Sequence, residues 1–368
     1  MKIGPLEFKT KRRDEFTNKD AFKISSIVLL LALIAFSVIF LQAGVNPLEG
    51  YWQVITYSFV SKTGIIHTVR RGAFMLFVTL AFIVPLKAGI WNIGAPGQML
   101  AGAVAAMGIS FVGSDLSPIV LLPLMFGGAV VAGGGLAAIA GYLKGSLDVN
   151  SIVVTVMLNL IMMRLVGYLI EGPWREPGGR AESAQVPLAG RIPMIGDTSL
   201  PYTIILAIVL SIVLYYFFTK TSWGYEIECF GSNPRTAKVV GMNFLKVSLL
   251  TMAIGGAIAG LGGFHYVAGE PGVYRISFAY WQNVGMWSFY GIIFGLLCLK
   301  NSLTAIIPAF LFAGFQVGAG RFQYVLGMQF GAGLAFFGTL VLVMVIGQFF
   351  YDREILWSFG KKIEERGK

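Results

Sequence analysis

The stretch ISSIVLLLALIAFSVIFLQA, residues 24–43, is apolar over twenty residues and carries no charge. At 1.5 Å per residue, an α-helix of this length crosses the roughly 30 Å hydrocarbon core of a bilayer. The preceding residues 1–23 are polar and contain seven basic side chains. A secretory signal has a shorter apolar region that ends in small residues at a cleavage site. We therefore expect a first transmembrane helix that is not cleaved, with the N-terminus in the cytoplasm.

The composition extends this interpretation to the whole chain of 368 residues. Hydrophobic residues make up 56 % and charged residues 12 %, which is about half the usual charged share of soluble proteins. The 47 glycines fit closely packed helices in lipid. This composition excludes disorder, a disulfide scaffold, collagen and a nucleic-acid-binding module. We therefore attribute the net charge of +10 to Lys and Arg on the cytoplasmic side of a membrane protein, and we expect no nucleic-acid partner.

Nine further apolar segments follow the first. The ten predicted spans are residues 24–43, 70–88, 94–113, 119–141, 150–170, 201–219, 247–267, 280–299, 302–318 and 326–350. With the N-terminus inside, nineteen Lys and Arg fall on the cytoplasmic side and eight outside, as the positive-inside rule requires. The predicted fold is an all-α membrane protein of about ten transmembrane helices in the cell membrane, with both termini cytoplasmic.

This topology divides the chain into a cytoplasmic tail (1–23), a transmembrane domain (24–350) and a second cytoplasmic tail (351–368). Arg70 and Arg71 are placed outside, at the start of the second span. The 171–200 segment, with four prolines, is predicted to be an ordered extracytoplasmic loop. None of the eighteen acidic residues falls within a predicted span. Arg164 does, and it either snorkels to the outer surface or has a polar role in the bundle.

The sequence offers no sign of catalytic, cofactor or metal chemistry. The two cysteines, Cys229 and Cys298, form no CxxC motif, and His67 and His265 are far apart. Zinc sites need closer groupings of such ligands. We therefore expect no catalytic residues, no cofactor and no metal.

The loop 220–246 is too polar to span the membrane and is the longest of the predicted cytoplasmic loops. Ser232 and Asn233 are good N-caps, Pro234 suits the first position of a helix, and Gly241 is a typical stop signal. A helix of about seven residues is not stable alone in water, so it must pack on something. One interpretation is a docking element that exposes Ala237 and Val240 to a cytoplasmic partner, with Arg235 and Lys238 beside them. The other is an ordinary loop helix packed on its own bundle.

Three stretches resemble the permease subunits of ABC importers for simple sugars and nucleosides. AGIWNIGAPGQ (88–98) is similar to the AG-x-FNIG-x-EGQ signature of that family, and VNSIVVTVMLN (149–159) to its VNEVI-x-T-x-MLN segment. GSNPRTAKVVGM (231–242) resembles the loop that carries the coupling helix. Together they occur in family order over roughly residues 70–320. Pro96 and Ser151 stand where the family commonly has Glu, and Glu228 lies near a usual Arg.

The resemblance implies partners: ABC ATPase subunits on the cytoplasmic side, a second permease that is a paralogue or an identical copy, and an extracytoplasmic substrate-binding lipoprotein. It also implies that the loop helix couples to the ATPase, with Ala237 facing the ATPase. The coupling residues are then Gly231, Asn233, Pro234, Arg235, Ala237, Lys238 and Gly241. No GxxxxGK[ST] motif occurs in the chain, so the ATPase is expected on another subunit.

A neutral, hydroxyl-rich solute needs amide, hydroxyl and aromatic partners along its pathway. The candidates are Asn92, Gln98, Asn150, Thr155, Asn159, Tyr280, Trp281, Gln282 and Asn283. Each of them could equally make hydrogen bonds between helices. Asn92 and Gln98 could also satisfy backbone groups freed at a Gly/Pro break in a helix.

The leading prediction is thus the permease of an ATP-driven importer for a nucleoside or simple sugar. The alternative is an ion-coupled secondary carrier for a small neutral solute. Such carriers usually bury a carboxylate at membrane depth, which the predicted spans lack. An intramembrane enzyme is a third possibility, but no Ser/His or paired Asp set occurs within the spans.

Overall fold

The computed structural model describes residues 2–3, 6–12, 18–178, 181–298, 300–329 and 331–359. The side chains of 2–26, 28, 29, 278–287, 337, 340, 341, 344, 345 and 348–359 lie outside this description. The chain separates into two compact units, Met1–Thr56 with Gly318–Lys368, and Tyr57–Val317.

Helices form nearly all of the structure between residues 18 and 352. They are α1 (Asn18–Gln42), α2 (Pro47–Ile55), α3 (Lys62–Lys87), α4 (Ala95–Val112), α5 (Pro118–Leu147), α6 (Ser151–Glu171), α7 (Thr203–Lys220), α8 (Ser222–Ser232), α9 (Pro234–Val239), α10 (Phe244–Gly269), α11 (Phe278–Leu297), α12 (Ile306–Ala319), α13 (Phe322–Val325) and α14 (Ala332–Asp352). A π-helical turn, Thr56–Val60, precedes α3, and a 3-10 turn, Leu188–Gly190, lies between α6 and α7.

Every predicted apolar segment coincides with a helix. Within the described residues, six helices are long and apolar enough to cross a membrane: α3, α4, α5, α6, α7 and α10. A bent pair, residues 30–42 and 47–60, would make a seventh if counted as one span. The six helices support a multi-pass protein, whereas the count of ten spans stays a prediction.

The first unit holds strands that the all-α prediction omits. β1 (Lys2–Ile3), β2 (Leu6–Arg12) and β3 (Arg353–Phe359) form an antiparallel sheet in that order. Leu6 pairs with Phe359 and Arg12 with Arg353. The two predicted tails therefore meet, which the sequence did not reveal because the pairing joins residues almost 350 positions apart. Between them, α1 packs on α14, and edge-to-face aromatic contacts join Phe36, Phe40, Tyr51, Phe322 and Phe336.

The core of the second unit is built where α10 packs against α3, α4 and α5. Glycines allow the closest of these approaches. A Cβ added to Gly133 of α5 would overlap the carbonyl oxygen of Gly256 and lie 2.8 Å from the Cα of Gly260, both on α10. Gly102 of α4 meets the same Gly260 backbone. This is the close helix packing that the high glycine content favours.

α3 lies at the centre of this unit. It begins at Lys62, since the hydroxyl of Ser61 accepts a hydrogen bond from Gly64 N at 3.1 Å. Pro85 lies within its last turn. α11 runs parallel to α3, because Gly291 faces Val78 and Gly295 faces Phe82.

Candidate functional site: the 221–243 loop and the buried amide network

The loop between α7 and α10 is more helical than the sequence predicted. α8 occupies its first half, where Thr221 Oγ1 accepts a hydrogen bond from Gly224 N at 3.1 Å. α9 follows, and its N-cap is Asn233, whose Oδ1 accepts from Thr236 N at 3.1 Å. Pro234 is the first residue of α9, and Gly241 beyond its end has φ +84°. The predicted cap, first-turn and stop residues are therefore confirmed, whereas α8 was missed because its own signals are weak.

The outward surface of α9 differs from the prediction. Ala237 is only 3 % exposed, whereas Val239 is 86 % and Val240 65 % exposed. The interpretation that Ala237 faces outward is wrong, because the methyl group packs inward and closes the short helix onto the chain. Arg235 and Lys238 are exposed as expected. The surface available to a partner thus consists of two valines flanked by two cations.

α8 rests on the end of α3. Lys87 forms an ion pair with Glu228, and its ammonium lies 4.8 Å from the centre of the Phe218 ring. Gly231 packs so closely on this turn that an added Cβ would overlap the carbonyl oxygen of Lys87. Gly89, at φ +75°, completes the turn. The loop and the end of α3 are therefore in direct backbone contact.

The next residues form a buried amide network. Asn92 and Gln98 exchange two hydrogen bonds of 2.9 Å between their side-chain amides. Asn92 Oδ1 also accepts from Gly94 N at 3.0 Å. Asn159 of α6 accepts from Gly97 N at 2.8 Å and donates to the carbonyl oxygen of Ile93 at 2.9 Å. The network satisfies backbone groups at the break between α3 and α4 and ties that break to α6.

The other candidate pathway residues lie in different settings. Asn150 caps α6 by accepting from Ile152 N at 2.9 Å. Thr155 is buried and donates to the carbonyl oxygen of Ser151 at 2.8 Å. Gln282 and Asn283 belong to α11, but their side chains lie outside the described residues. Their role in a pathway stays a prediction.

Two charged residues can be compared with expectation. Arg70 was predicted to lie outside, at the start of a span; α3 begins eight residues earlier, and the Arg70 side chain is 4 % exposed. The sequence missed the earlier start of the helix because the first turns of α3 are not apolar, and the side of the membrane on which Arg70 lies stays a prediction. Arg164, in contrast, is exposed on α6, which favours the snorkelling interpretation over a role inside the bundle.

The loop between α6 and α7 is folded onto the segment after α10. Arg275 pairs with Glu176 at 2.7 Å and with Glu182 at 2.9 Å. Val186 N donates to the carbonyl oxygen of Tyr274 at 2.7 Å. Burial raises the pKa of Tyr274, and the nearby Arg191 guanidinium opposes this shift. The described part of the 171–200 loop is thus ordered, as predicted.

Within the described residues, no three His, Cys, Asp or Glu side chains are close enough together to hold a metal ion.

Six helices that are long and apolar enough to cross a membrane define a multi-pass membrane protein. The family described as "Branched-chain amino acid transport system / permease component" matches residues 64–347, and the chain belongs to this family of ABC transporter permeases.

Relatives with known names extend the comparison. The glucose ABC transporter permease protein TsgB13 of Haloferax volcanii is 30 % identical over 361 residues, covering 94 % of this chain and 92 % of the relative. The nucleoside ABC transporter permease protein NupB of Lactococcus lactis is 27 % identical, covering 80 % and 82 %. The putative glucose permease TsgC13, also of Haloferax volcanii, is 28 % identical, covering 54 % and 60 %.

Proposed function

We propose that this chain is the permease of an ABC importer in the cell membrane and carries a neutral, hydroxyl-rich solute such as a nucleoside or simple sugar. The family description names branched-chain amino acids, whereas the similar proteins named above carry glucose or nucleosides. The names of these relatives support a neutral, hydroxyl-rich solute over a charged amino acid.

We further propose that α9 is where the ATPase subunit docks. The observation that carries this proposal is the 86 % exposure of Val239 on a helix of six residues. A helix this short depends on packing for its stability, and Ala237 supplies that packing on one side only. The exposed valines form a small apolar surface, and Arg235 and Lys238 lie at its edge. A surface of this kind fits a groove on a partner protein.

The contacts at the end of α3 would connect movement of the loop to the membrane-spanning helices. When ATP draws two ATPase subunits together, α9 would move with them, and α8 with it. Because Glu228 and Gly231 touch the Lys87–Gly89 turn, that turn would follow. The amide network joins the turn to α4 and α6, so the motion would reach the helices around the pathway as a rigid-body shift.

A second permease would complete the pathway. Haloferax volcanii has two similar permeases, TsgB13 and TsgC13, which supports a paralogue as partner. The exposed face of α6 in this chain carries Val153, Met157 and Ile161, and such a face suits either lipid or another helix. On the opposite side of the membrane, the 171–200 loop is proposed to receive a substrate-binding lipoprotein.

ATP-driven uptake tests the proposal. The chain would be co-expressed with an ABC ATPase, a second permease and a binding protein encoded beside it, purified as a complex and reconstituted. We expect uptake of labelled guanosine or glucose that requires ATP. Uptake by this chain alone, driven by a proton or sodium gradient, would instead establish the secondary carrier. A wild-type complex that imports neither probe would overturn the proposed solute class.

A further inference from the structure

One charged side chain lies deep in the second unit and takes no part in the loop contacts. Arg70, at 4 % exposure, is the least exposed of the Lys, Arg, Asp and Glu side chains that the structure describes. It lies eight residues into α3, roughly 12 Å from the start of that helix. His67, one turn earlier, is exposed, so Arg70 lies where α3 becomes buried. A buried ionisable residue on a helix long and apolar enough to span a membrane marks a functional site unless it is paired.

The hydrogen bonds of Arg70 leave part of the guanidinium free. One terminal nitrogen, Nη2, lies 2.6 Å from Nδ1 of His67, a neutral partner one turn away. The Nε–H is buried and has no hydrogen-bond partner. Buried donors in folded proteins are nearly always satisfied, so the open donor calls for an acceptor that is not part of this chain's described structure.

His265 of α10 shows the same pattern beside it. The imidazole is fully buried and packs near the Phe77 ring of α3, with centroids 5.8 Å apart. Its Nδ1 lies 2.7 Å from Thr203 Oγ1, while Nε2 makes no hydrogen bond of good geometry and faces the Arg70 backbone. The two open polar atoms thus belong to side chains on two helices that pack together.

The charges around these atoms favour an electron-rich ligand. Arg71 adds a second positive charge next to Arg70, and Glu270, directly after α10, is the acidic group whose charge acts on Arg71, His67 and His265. With neutral histidines, the described cluster holds two cations and one anion. One excess positive charge suits the hydroxyl or carbonyl oxygens of a neutral solute, which accept hydrogen bonds from a guanidinium without a full counter-charge.

We infer that Arg70 and His265 bind an oxygen atom of the transported solute on its way through the membrane. This inference rests on the proposed function. Both side chains are buried, so the solute would reach them only when α3 and α10 separate during transport.

The test compares Arg70→Gln and Arg70→Lys with the wild-type complex in proteoliposomes, using labelled guanosine and glucose as probes. Arg164→Gln is the matched control, since Arg164 is the exposed arginine of another span. We expect Arg70→Gln to assemble and to hydrolyse ATP as the wild type does, but to import at least ten-fold less solute per ATP. Arg70→Lys should lie between, because it keeps the charge and loses the Nε donor. The control should match the wild type.

The amount of solute imported, normalised to the assembled complex and to the ATP hydrolysed, distinguishes a role in solute binding from a role in folding. A purely structural Arg70 would lower the yield or thermal stability of the complex and leave this ratio at the wild-type value, which would overturn the inference. If both Arg70 variants fail to assemble, His265→Asn decides by the same ratio. A wild-type complex that imports neither probe overturns the proposed solute class, and with it the inference that Arg70 and His265 bind such a solute.

Discussion

Replacing Val239 by Ser should detach the ATPase from the permease without unfolding either protein. Val239 is 86 % exposed, so the substitution removes no internal contact, and surface changes of this kind shift stability by about 0.5 kcal/mol or less. Val and Ser also have similar helix propensities. Any large effect must therefore arise in the complex.

The size of that effect follows from the area that the partner would cover. Fully burying a valine side chain contributes about 1.5–3 kcal/mol. Since 86 % of Val239 is still exposed, nearly all of this is available to a docking groove. Losing about 1.5–2.5 kcal/mol corresponds to a roughly ten- to seventy-fold weaker Kd.

The assay is binding of the purified ATPase to permease in nanodiscs, followed by ATP-driven uptake. Leu188→Ser is the matched control, since Leu188 is 82 % exposed but belongs to the 171–200 loop, which is predicted to lie on the other side of the membrane. We expect it to bind the ATPase normally. Ala237→Arg gives a contrast, because overpacking this buried position should destabilise the loop by about 1–3 kcal/mol. Wild-type affinity and uptake in Val239→Ser would refute the assignment of α9 as the docking surface.

Three further predictions concern the helices behind the loop. Gly133→Ala should lower the free energy of unfolding in detergent titrations by about 1–2 kcal/mol, which is the overpacking cost less the gain in helix propensity. Gly135→Ala should raise that free energy, because nothing lies within 4 Å of the added Cβ. Equal effects of the two substitutions would contradict the close packing. Reversing either charge of the Lys87–Glu228 pair should reduce ATP-driven uptake by at least half, and reversing both should restore it; failure of the double variant to recover would show that the pair is not a mechanical link. Asn159→Ala should destabilise the permease by about 2–4 kcal/mol, because it leaves one buried N–H and one carbonyl oxygen unpaired; a thermal-inactivation midpoint equal to that of the wild type would rule out the structural role of the network.

Local patterns in the sequence predicted the local features well. Each apolar run became a helix because length and hydrophobicity decide this outcome within about twenty residues. The boundaries of α9 were predictable for the same reason: Asn233, Pro234 and Gly241 act on their own neighbours.

Features that depend on distant parts of the chain were not predictable. The inward turn of Ala237 depends on packing that the loop sequence does not encode. Asn159 reaches a backbone group 62 residues earlier in the chain, and no spacing rule links the two. The burial of Arg70 within α3 was missed because hydropathy places a span where apolar residues begin, whereas α3 starts earlier, directly after the cap residue Ser61.

Pro85 is a point at which the end of α3 can bend. A proline has no N–H to donate to the carbonyl four residues before it, so Ala81 loses that bond, and the Gly255 backbone of α10 packs against this carbonyl instead. Only Leu86 and Lys87 follow Pro85 before the helix ends. Under the proposed coupling, a pull on Lys87 would first bend the end of α3 at Pro85, so the 88–98 turn would move before the rest of the helix.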